Sequence, residues 1–287
     1  MITIHNNVFT QLLKTREHVF GGGERNVIIE DVIPSSATIT LNFRQDGDLI
    51  TLLMYVDALR RGGCKSIHLE IPYFPGARQD RVCNVGEAFS LQVYATLINA
   101  MGFDKVTVFD PHSDVTPALI KNVNIANNHT FVGDVLAILT KDGAVKEFTL
   151  ISPDAGSNKK IYGLAKYLTA GGYPLHSVVR ADKLREMSTG HIIETIVYAE
   201  DLTGQTCVIV DDICSRGNTF MILCRKLKEL GAKSVFLVVS HFEGTASLKD
   251  MKDSGIDAIF TTSSKEFEEN DYNRDGYVKV SDISQLL

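Results

Sequence analysis

Two adjacent carboxylates follow an apolar run in the second half of the chain. In VIVDDICSRGNTF, at positions 208–220, Asp211 and Asp212 come directly after the apolar residues and precede a polar turn. Two such carboxylates can accept hydrogen bonds from two vicinal hydroxyls of a sugar. The turn SRGNT, at 215–219, offers backbone N–H groups and the start of a helix expected from about Phe220, which suits a phosphate. The stretch therefore predicts a sugar-phosphate site, and the alternative is an Asx-type turn that caps a helix.

Polar residues also follow three other apolar runs, at 78–81, 110–114 and 154–157. In parallel α/β sheets ligands bind beyond the carboxyl ends of the strands, so these residues are expected to share one rim. His112 and Asp154 could each ligate a divalent metal, directly or through water. The alternative interpretation gives His112 a structural hydrogen bond and gives the acids helix-capping roles.

A basic stretch, VVRADKLREMSTGHI at 178–192, begins as a strand and is expected to become a polar loop that carries Arg180, Lys183 and Arg185. One interpretation is a solvated loop, as most charge-rich loops are. The other is a mobile cover that brings cations onto a transferring phosphoryl group.

The sequence repeats one pattern that predicts the elements positioning these residues. In it, a helical pattern ends at glycine and an apolar strand pattern follows. It recurs at 58–72, 97–110, 164–179, 226–240 and 248–262. Glycine supplies the residue that ends a helix, and short continuous apolar runs are typical of strands buried on both faces. The pattern predicts an α/β fold with mostly parallel sheets. The Asn-rich stretch 122–131 is expected to be a linker or a domain seam, which gives domains at 1–128 and 129–287.

Composition narrows the class of protein. The chain has 287 residues and a formal net charge of −6, which argues against broad binding of nucleic acid. Its five cysteines form no C-x-x-C pair, as expected for reduced thiols in the cytoplasm. The start lacks the regions of a signal peptide, and no apolar run approaches a membrane span. Neither a Walker loop nor a G-x-G-x-x-G motif is present.

Four motifs in order make the chain resemble the ribose-phosphate pyrophosphokinase (phosphoribosyl pyrophosphate synthetase) family over nearly its whole length. They are IPYFPGARQDR at 71–81, FDPHSD at 109–114, ISPDAGSNKK at 151–160 and VIVDDICSRGNT at 208–219. The last motif alone would indicate only the wider phosphoribosyltransferase fold, whereas the first points to the synthetase branch. The resemblance implies two phosphoribosyltransferase-type domains, each with a mostly parallel sheet flanked by helices. It also implies Mg²⁺-dependent transfer of the ATP diphosphoryl group to the C1 hydroxyl of ribose 5-phosphate, with release of AMP.

The resemblance assigns residues to these ligands by motif. ATP would be held by Arg78, Gln79, Arg81 and His112, together with Phe20 and Glu24 reaching from a neighbouring subunit of a homo-oligomer. Metal sites would include His112 and Asp154. Ribose 5-phosphate would be bound by Asp211, Asp212, Ser215, Arg216, Gly217, Asn218 and Thr219. Lys183 and Arg185 would be the catalytic pair that stabilises charge on the transferring diphosphate.

The chain departs from the family pattern at several positions. Gly22 stands where the family usually has an acid, and Ser215 and Arg216 stand where it has Asp and Thr. Ser157 and Asn218 replace glycines that are usual in the family. These departures motivate a second hypothesis, a non-catalytic homologue that binds nucleotide or sugar phosphate and regulates another protein. A third hypothesis is a phosphoribosyltransferase that consumes phosphoribosyl pyrophosphate.

The tail 271–282 also fits the spacing of a calcium-binding loop, with Asp271, Asn273, Asp275 and Asp282 as ligands. Asp rather than Glu stands at the twelfth place, so we favour a terminal strand after a turn. That strand is expected in the second domain or, alternatively, back in the first.

Overall fold

The computed structural model describes residues 1–141, 143, 145–185, 192–265 and 276–287. Over these ranges the chain divides into two compact units, Met1–Asn127 and Asn128–Leu286. Within the described residues no helix combines the length and the apolar character that a membrane crossing requires.

The first unit contains a six-stranded sheet in the order β2-β1-β5-β6-β7-β8. Its strands are β1 (Ile2–Asn6), β2 (Gln11–Leu12), β5 (Ser36–Leu41), β6 (Ser66–Ile71), β7 (Lys105–Phe109) and β8 (Val123–Ala126). The pairs from β5 to β8 are parallel, and β1 is antiparallel to both of its neighbours. Three helices belong to this unit, α1 (Gly47–Arg61), α2 (Ser90–Met101) and α3 (Val115–Leu119). They follow β5, β6 and β7 along the chain, so the parallel part of the sheet is built from crossover units.

A separate hairpin, β3 (Thr15–Val19) with β4 (Arg25–Ile29), projects the segment 20–24 at its tip. The backbone N–H of Phe20 donates to the Glu24 carbonyl at 2.8 Å, and that of Gly23 donates to the Phe20 carbonyl at 2.9 Å. Gly23 has φ +92°, which glycine adopts without strain. The glycine-rich stretch is therefore the tight tip of a hairpin.

The second unit contains a seven-stranded sheet in the order β11-β10-β9-β12-β13-β14-β15. Its strands are β9 (Phe148–Ser152), β10 (Leu175–Arg185), β11 (Ile192–Val197), β12 (Thr206–Cys214), β13 (Ser234–Phe242), β14 (Ala258–Thr262) and β15 (Val278–Ser281). Its helices are α4 (His129–Thr140), α5 (Asn158–Ala170), α6 (Asn218–Glu229) and α7 (Leu248–Asp253). All pairs are parallel except β10 with β11.

Strand β12 shows why these strands are continuous apolar runs in the sequence. Cys207 and Ile209 pack into one hydrophobic cluster of the unit, while Val208 and Val210 pack into another. Alternate side chains of a strand point to opposite faces, so both faces of this strand are buried. The prediction of mostly parallel sheets is confirmed. Each of the five helix–glycine–strand segments runs from a helix into a strand.

One local prediction is wrong: the basic stretch stays in strand β10 as far as Arg185 and does not become a loop there, because β11 pairs with this part of it. The Asn-rich stretch 122–131 contains β8 and the beginning of α4, and the division between the two units falls inside it, between Asn127 and Asn128. The final strand β15 pairs with β14 and therefore belongs to the second unit, the first of the two placements expected for it. Residues 271–275 of the supposed calcium loop lie outside the described residues.

Candidate active site

Three neighbouring parallel strands of the second unit end at the same edge of the sheet. Arg180 of β10 pairs with Ser152 at the end of β9, and Ile209 of β12 pairs with Ile151. Asp154 follows the end of β9, and Asp211 lies two residues beyond Ile209. This register brings together side chains that are far apart in sequence, as expected at the carboxyl ends of parallel strands.

The Asp154 carboxylate forms an ion pair with Lys183. The Nζ of Lys183 donates to Oδ2 of Asp154 at 2.6 Å, and the Lys183 side chain is only 9% exposed. Burial acts to raise the pKa of Asp154, but the hydrogen bond and charge of Lys183 and the hydrogen bonds from Ser157 outweigh it. The pKa of Asp154 is therefore lowered from its ordinary value, and the carboxylate is ionised at neutral pH.

The two adjacent carboxylates of β12 differ in exposure: Asp212 is buried, at 5%, while Asp211 is partly exposed. The backbone N–H of Asp212 donates to Oδ1 of Asp211 at 3.0 Å. Burial, and then the charges of Asp212 and Asp154, raise the pKa of Asp211 well above its ordinary value, against the opposing charge of Lys183. Asp211 thus lies close enough to interact with two other acids, Asp212 and Asp154, and with Lys183, so this edge favours ligands that supply positive charge or hydroxyl donors.

The turn after β12 passes directly into α6, which begins at Asn218, two residues earlier than predicted. Gly217 is buried, has φ +76°, and would bring a Cβ to 3.3 Å from Met251 and 3.4 Å from Ala246. A side chain there would be strained both by the backbone and by its neighbours. The Arg216 side chain is exposed, and the hydroxyls of Ser215 and Thr245 lie 3.4 Å apart. The exposed start of α6 offers N–H groups to an anion, as the sequence indicated.

The first unit places its own polar residues at the end of β7. Asp110 is buried and has φ +35°, an uncommon conformation for a residue other than glycine. The next polar residues, His112 and Asp114, are exposed, and α3 begins at Val115. An ordered but strained strand end is typical of functional positions.

The residues expected to bind ATP lie in exposed segments of this unit. Arg78, Gln79 and Arg81 are exposed in the loop that leads from β6 to α2, where the Gln79 N–H donates to the Gly76 carbonyl at 2.9 Å. Phe20 is 51% exposed at the hairpin tip and packs edge-on against His18, with ring centroids 4.5 Å apart. Glu24 is also exposed at this tip.

The second unit thus brings Asp154, Lys183 and Asp211 together, while His112 belongs to the first unit. The backbone of Arg185 lies in β10, but its side chain is outside the described part of the chain. Within the described residues, no three His, Cys, Asp or Glu side chains converge in the way a metal site built from protein ligands alone would require.

Two sets of contacts were not predicted from the sequence. Ser157 belongs to the polar segment 154–157 that was expected at this edge, but its contact with the Asp154 carboxylate was not anticipated. A buried network at the ends of β13 and β14 joins His241 Nδ1 to the Ser264 hydroxyl at 2.7 Å, and that hydroxyl donates to the Ser240 carbonyl at 3.1 Å. The adjacent polar residues Ser240 and His241, at the end of the apolar run 234–242, were the available signal for this network.

Comparison with known domains gives the class of protein first. Residues 124–271 match the phosphoribosyl transferase domain, and residues 2–102 match the N-terminal domain of ribose phosphate pyrophosphokinase. The crystal structure of phosphoribosylpyrophosphate synthetase from Mycobacterium smegmatis has the same fold. It aligns with a TM-score of 0.77 at 22% identity, over 97% of this chain and 89% of that one. The protein is therefore an α/β protein with phosphoribosyltransferase-type domains, as predicted.

Curated relatives then give the family. The ribose-phosphate pyrophosphokinase of Hyphomonas neptunium is 30% identical over 274 residues, which cover 94% of this chain and 83% of that protein. The ribose-phosphate pyrophosphokinase of Vibrio cholerae is 30% identical over 251 residues, covering 85% and 76% respectively. The chain belongs to the ribose-phosphate pyrophosphokinase family, and the resemblance seen in the four motifs is confirmed.

Proposed function

We propose that the protein is an active ribose-phosphate diphosphokinase. The C1 hydroxyl of ribose 5-phosphate attacks the β-phosphorus of ATP, and the bond from that phosphorus to the α,β-bridging oxygen breaks. The hydroxyl proton is released, AMP leaves, and phosphoribosyl pyrophosphate is the second product. The observation that carries the proposal is the juxtaposition of Lys183, Asp154 and Asp211 beside the turn that begins α6.

Charge and geometry suit this edge to a sugar phosphate. Asp211 and Asp212 can accept hydrogen bonds from the ribose 2′ and 3′ hydroxyls. Residues 215–219 can bind the 5-phosphate through the N–H groups at the start of α6, with the exposed Arg216 as an additional cation. Lys183 contacts Asp154 and would stabilise negative charge on the transferring diphosphate, a role we also propose for Arg185.

The first unit would bind ATP. Arg78 and Arg81 supply exposed guanidinium groups, and Gln79 supplies an amide. Phe20 and Glu24, at the exposed hairpin tip, would complete the adenine site of a neighbouring subunit, so we propose a homo-oligomer.

The residues present fit Mg²⁺ as the cofactor. Mg²⁺ is usually held by one or two carboxylates together with substrate phosphates, rather than by a cage of protein ligands. The ionised Asp154 and the exposed imidazole of His112 are donors of the required kind, one in each unit. When bound, Mg²⁺ would neutralise charge on the phosphates. Asp154 Oδ2 contacts Lys183, so a metal ligated by that oxygen would share it with the ammonium group or displace it.

The unpaired state of the cysteines is consistent with a reducing compartment. All five cysteines are free, and Cys64, Cys207, Cys214 and Cys224 are buried. Proteins with unpaired buried thiols are typical of the cytoplasm, where we propose that this protein acts.

Separation of the nucleotide products tests the proposed reaction. The protein is incubated with ATP, Mg²⁺ and ribose 5-phosphate, and AMP, ADP and phosphoribosyl pyrophosphate are measured. We expect AMP and phosphoribosyl pyrophosphate in equal amounts, because the whole diphosphoryl group is transferred. Lys183→Ala should lose about 10²–10³-fold in kcat, the range for removing one transition-state charge donor. Lys166→Ala, which removes an exposed lysine of α5, is the matched control and should keep full activity.

The other hypotheses predict different products. A regulatory homologue would bind ATP or ribose 5-phosphate in calorimetry without turnover. A phosphoribosyltransferase would consume phosphoribosyl pyrophosphate with a nucleobase and would not require ATP. Formation of ADP instead of AMP, or equal rates for the wild type and Lys183→Ala, would contradict the proposed reaction.

A further inference from the structure

Both oxygens of the Asp154 carboxylate accept hydrogen bonds, one from the short turn after β9 and the other from Lys183 of strand β10. Oδ1 accepts the backbone N–H of Ser157 at 3.0 Å and the Ser157 hydroxyl at 2.7 Å. Oδ2 accepts Lys183 at 2.6 Å. The two oxygens therefore have different partners, and only Oδ2 faces the cation.

Ser157 is placed to contact Oδ1 of Asp154 and not Oδ2. The residue is 7% exposed and lies in a single 3₁₀ turn, Ala155–Ser157, that leads directly into α5. Between it and Asp154 lies Gly156, at which a Cβ would lie 3.3 Å from Oδ1, tighter than most such contacts. The turn thus leaves one side of the carboxylate open for the serine hydroxyl.

A carboxylate without such contacts would be less ordered. The terminal torsion of aspartate is broad and nearly two-fold, so packing or hydrogen bonds must fix which oxygen faces which partner. With glycine at position 157, as the family resemblance implies, the backbone N–H could remain but the hydroxyl would be lost. The serine of this chain adds a second, charge-assisted hydrogen bond to the same oxygen.

We infer that Ser157 is a positioning residue, whose hydroxyl fixes the Asp154 carboxylate so that Oδ2 holds the ammonium group of Lys183 at the reacting edge. Its effect on turnover rests on the proposed diphosphokinase activity, whereas its effect on Lys183 does not. Ser157 acts through Asp154 and Lys183, and no contact with substrate is required.

The reactivity of Lys183 tests this inference without turnover. The wild type, Ser157→Ala and Ser157→Thr are treated briefly with an amine-acylating ester at pH 8. Modification of Lys183 is measured by peptide mass spectrometry relative to the exposed Lys65 in the same sample. Losing one hydrogen bond to a charged group changes an equilibrium by roughly tenfold. We therefore expect Lys183 to react roughly 3–10-fold faster in Ser157→Ala, and at nearly the wild-type rate in Ser157→Thr, which keeps the hydroxyl.

Ser152→Ala is the matched control. It also removes a serine hydroxyl that contacts Asp154, from the end of β9, but that hydroxyl donates to the backbone carbonyl of Asp154, at 3.1 Å, and not to its carboxylate. We expect unchanged labelling of Lys183 in this variant. Equal acceleration in Ser152→Ala and Ser157→Ala would mean that the turn has simply loosened, and this would overturn the inference. Unchanged labelling in Ser157→Ala would overturn it as well.

Steady-state kinetics give the second measurement. Ser157→Ala should lower kcat by roughly tenfold and leave the KM values for ATP and ribose 5-phosphate within about twofold, because Lys183 acts on the transferring group. Ser157→Thr should restore kcat. A wild type without turnover would refute the proposed function but leave the labelling result to decide the role of Ser157. If Ser157→Ala does not fold by circular dichroism, Ser157→Cys, with its weaker donor, is labelled instead.

Discussion

The ion pair between Lys183 and Asp154 makes a quantitative prediction about stability. Lys183→Met keeps most of the length of the side chain but removes its charge. The Lys183 side chain is 9% exposed and that of Asp154 is 34% exposed, so the pair lies between the buried and surface classes. Breaking a buried pair costs about 3–5 kcal/mol, whereas exposed pairs contribute about 0.2–1 kcal/mol. Because Asp154 is partly solvated and keeps two donors from Ser157, we expect a loss of about 1–3 kcal/mol in the free energy of unfolding at pH 7.

A double-mutant cycle isolates the pair from other effects of each substitution. Urea unfolding of the wild type, Lys183→Met, Asp154→Asn and the double variant is followed by far-ultraviolet circular dichroism, because the chain contains no tryptophan. The coupling free energy at pH 7 should be about 1–2 kcal/mol. For each kcal/mol lost by a unit of this size, the midpoint of thermal unfolding should fall by about 2–4 °C.

The dependence on pH has a definite sign. Folding lowers the pKa of Asp154 from its ordinary value of 3.8, so the stabilisation is fully present above that value and is lost as the pH falls through the folded-state pKa. The difference between the wild type and Lys183→Met should therefore shrink in strongly acidic solution. A coupling free energy of zero at pH 7, or the same coupling at pH 7 and in strong acid, would refute the electrostatic reasoning.

Three further predictions concern Asp211, Gly217 and the cysteines. Burial and the charge of Asp212 raise the pKa of Asp211, so its ionised form destabilises the folded state increasingly as the pH rises above 3.8. Asp211→Asn should therefore raise the free energy of unfolding by about 1–2 kcal/mol at pH 8 while weakening binding of ribose 5-phosphate; a less stable variant in urea titration would contradict this. Gly217→Ala should lose about 1–2 kcal/mol in the same titration, because its φ of +76° disfavours a side chain; stability equal to the wild type would show that the turn adapts. Of the five cysteines only Cys83 is exposed, and burial raises the pKa of Cys207 to about 11, so a disulfide reagent at pH 8 should titrate one thiol rapidly and five after unfolding.

The architecture could be predicted because its signals are local and repeated. A glycine that ends a helix followed by a continuous apolar run predicted β6, β7, β10, β13 and β14, and each is a strand of the structure. The carboxylates that follow the apolar residues of β9 and β12 could be assigned to one rim by the general geometry of parallel sheets. The boundary of β10 was missed, because β11 extends the strand through polar residues by pairing with it, and such pairing has no local signature.

The contacts inside the site depended on registers that a single sequence does not contain. The pairing of Arg180 with Ser152 decides how far Lys183 extends beyond the end of β9, and hence that it meets Asp154. Ser157 could be recognised as unusual, but its target could not, because the hydroxyl reaches the carboxylate only in the geometry of the 3₁₀ turn. The resemblance of the motifs identified the residues of the site, but only the strand register shows which of them are in contact.

The position of β9 in its sheet has a consequence for the order in which the second unit folds. On one side β9 pairs with β10, the next strand in sequence, and on the other side with β12, where Ile151 meets Ile209 only after a long loop has closed. Asp154 and Asp211 approach each other only when this non-local pairing forms, so their repulsion opposes the contact with the larger entropic cost. Electrostatic repulsion between these two carboxylates is therefore expected to slow assembly of the sheet, and a neutral replacement at Asp211 is expected to speed it.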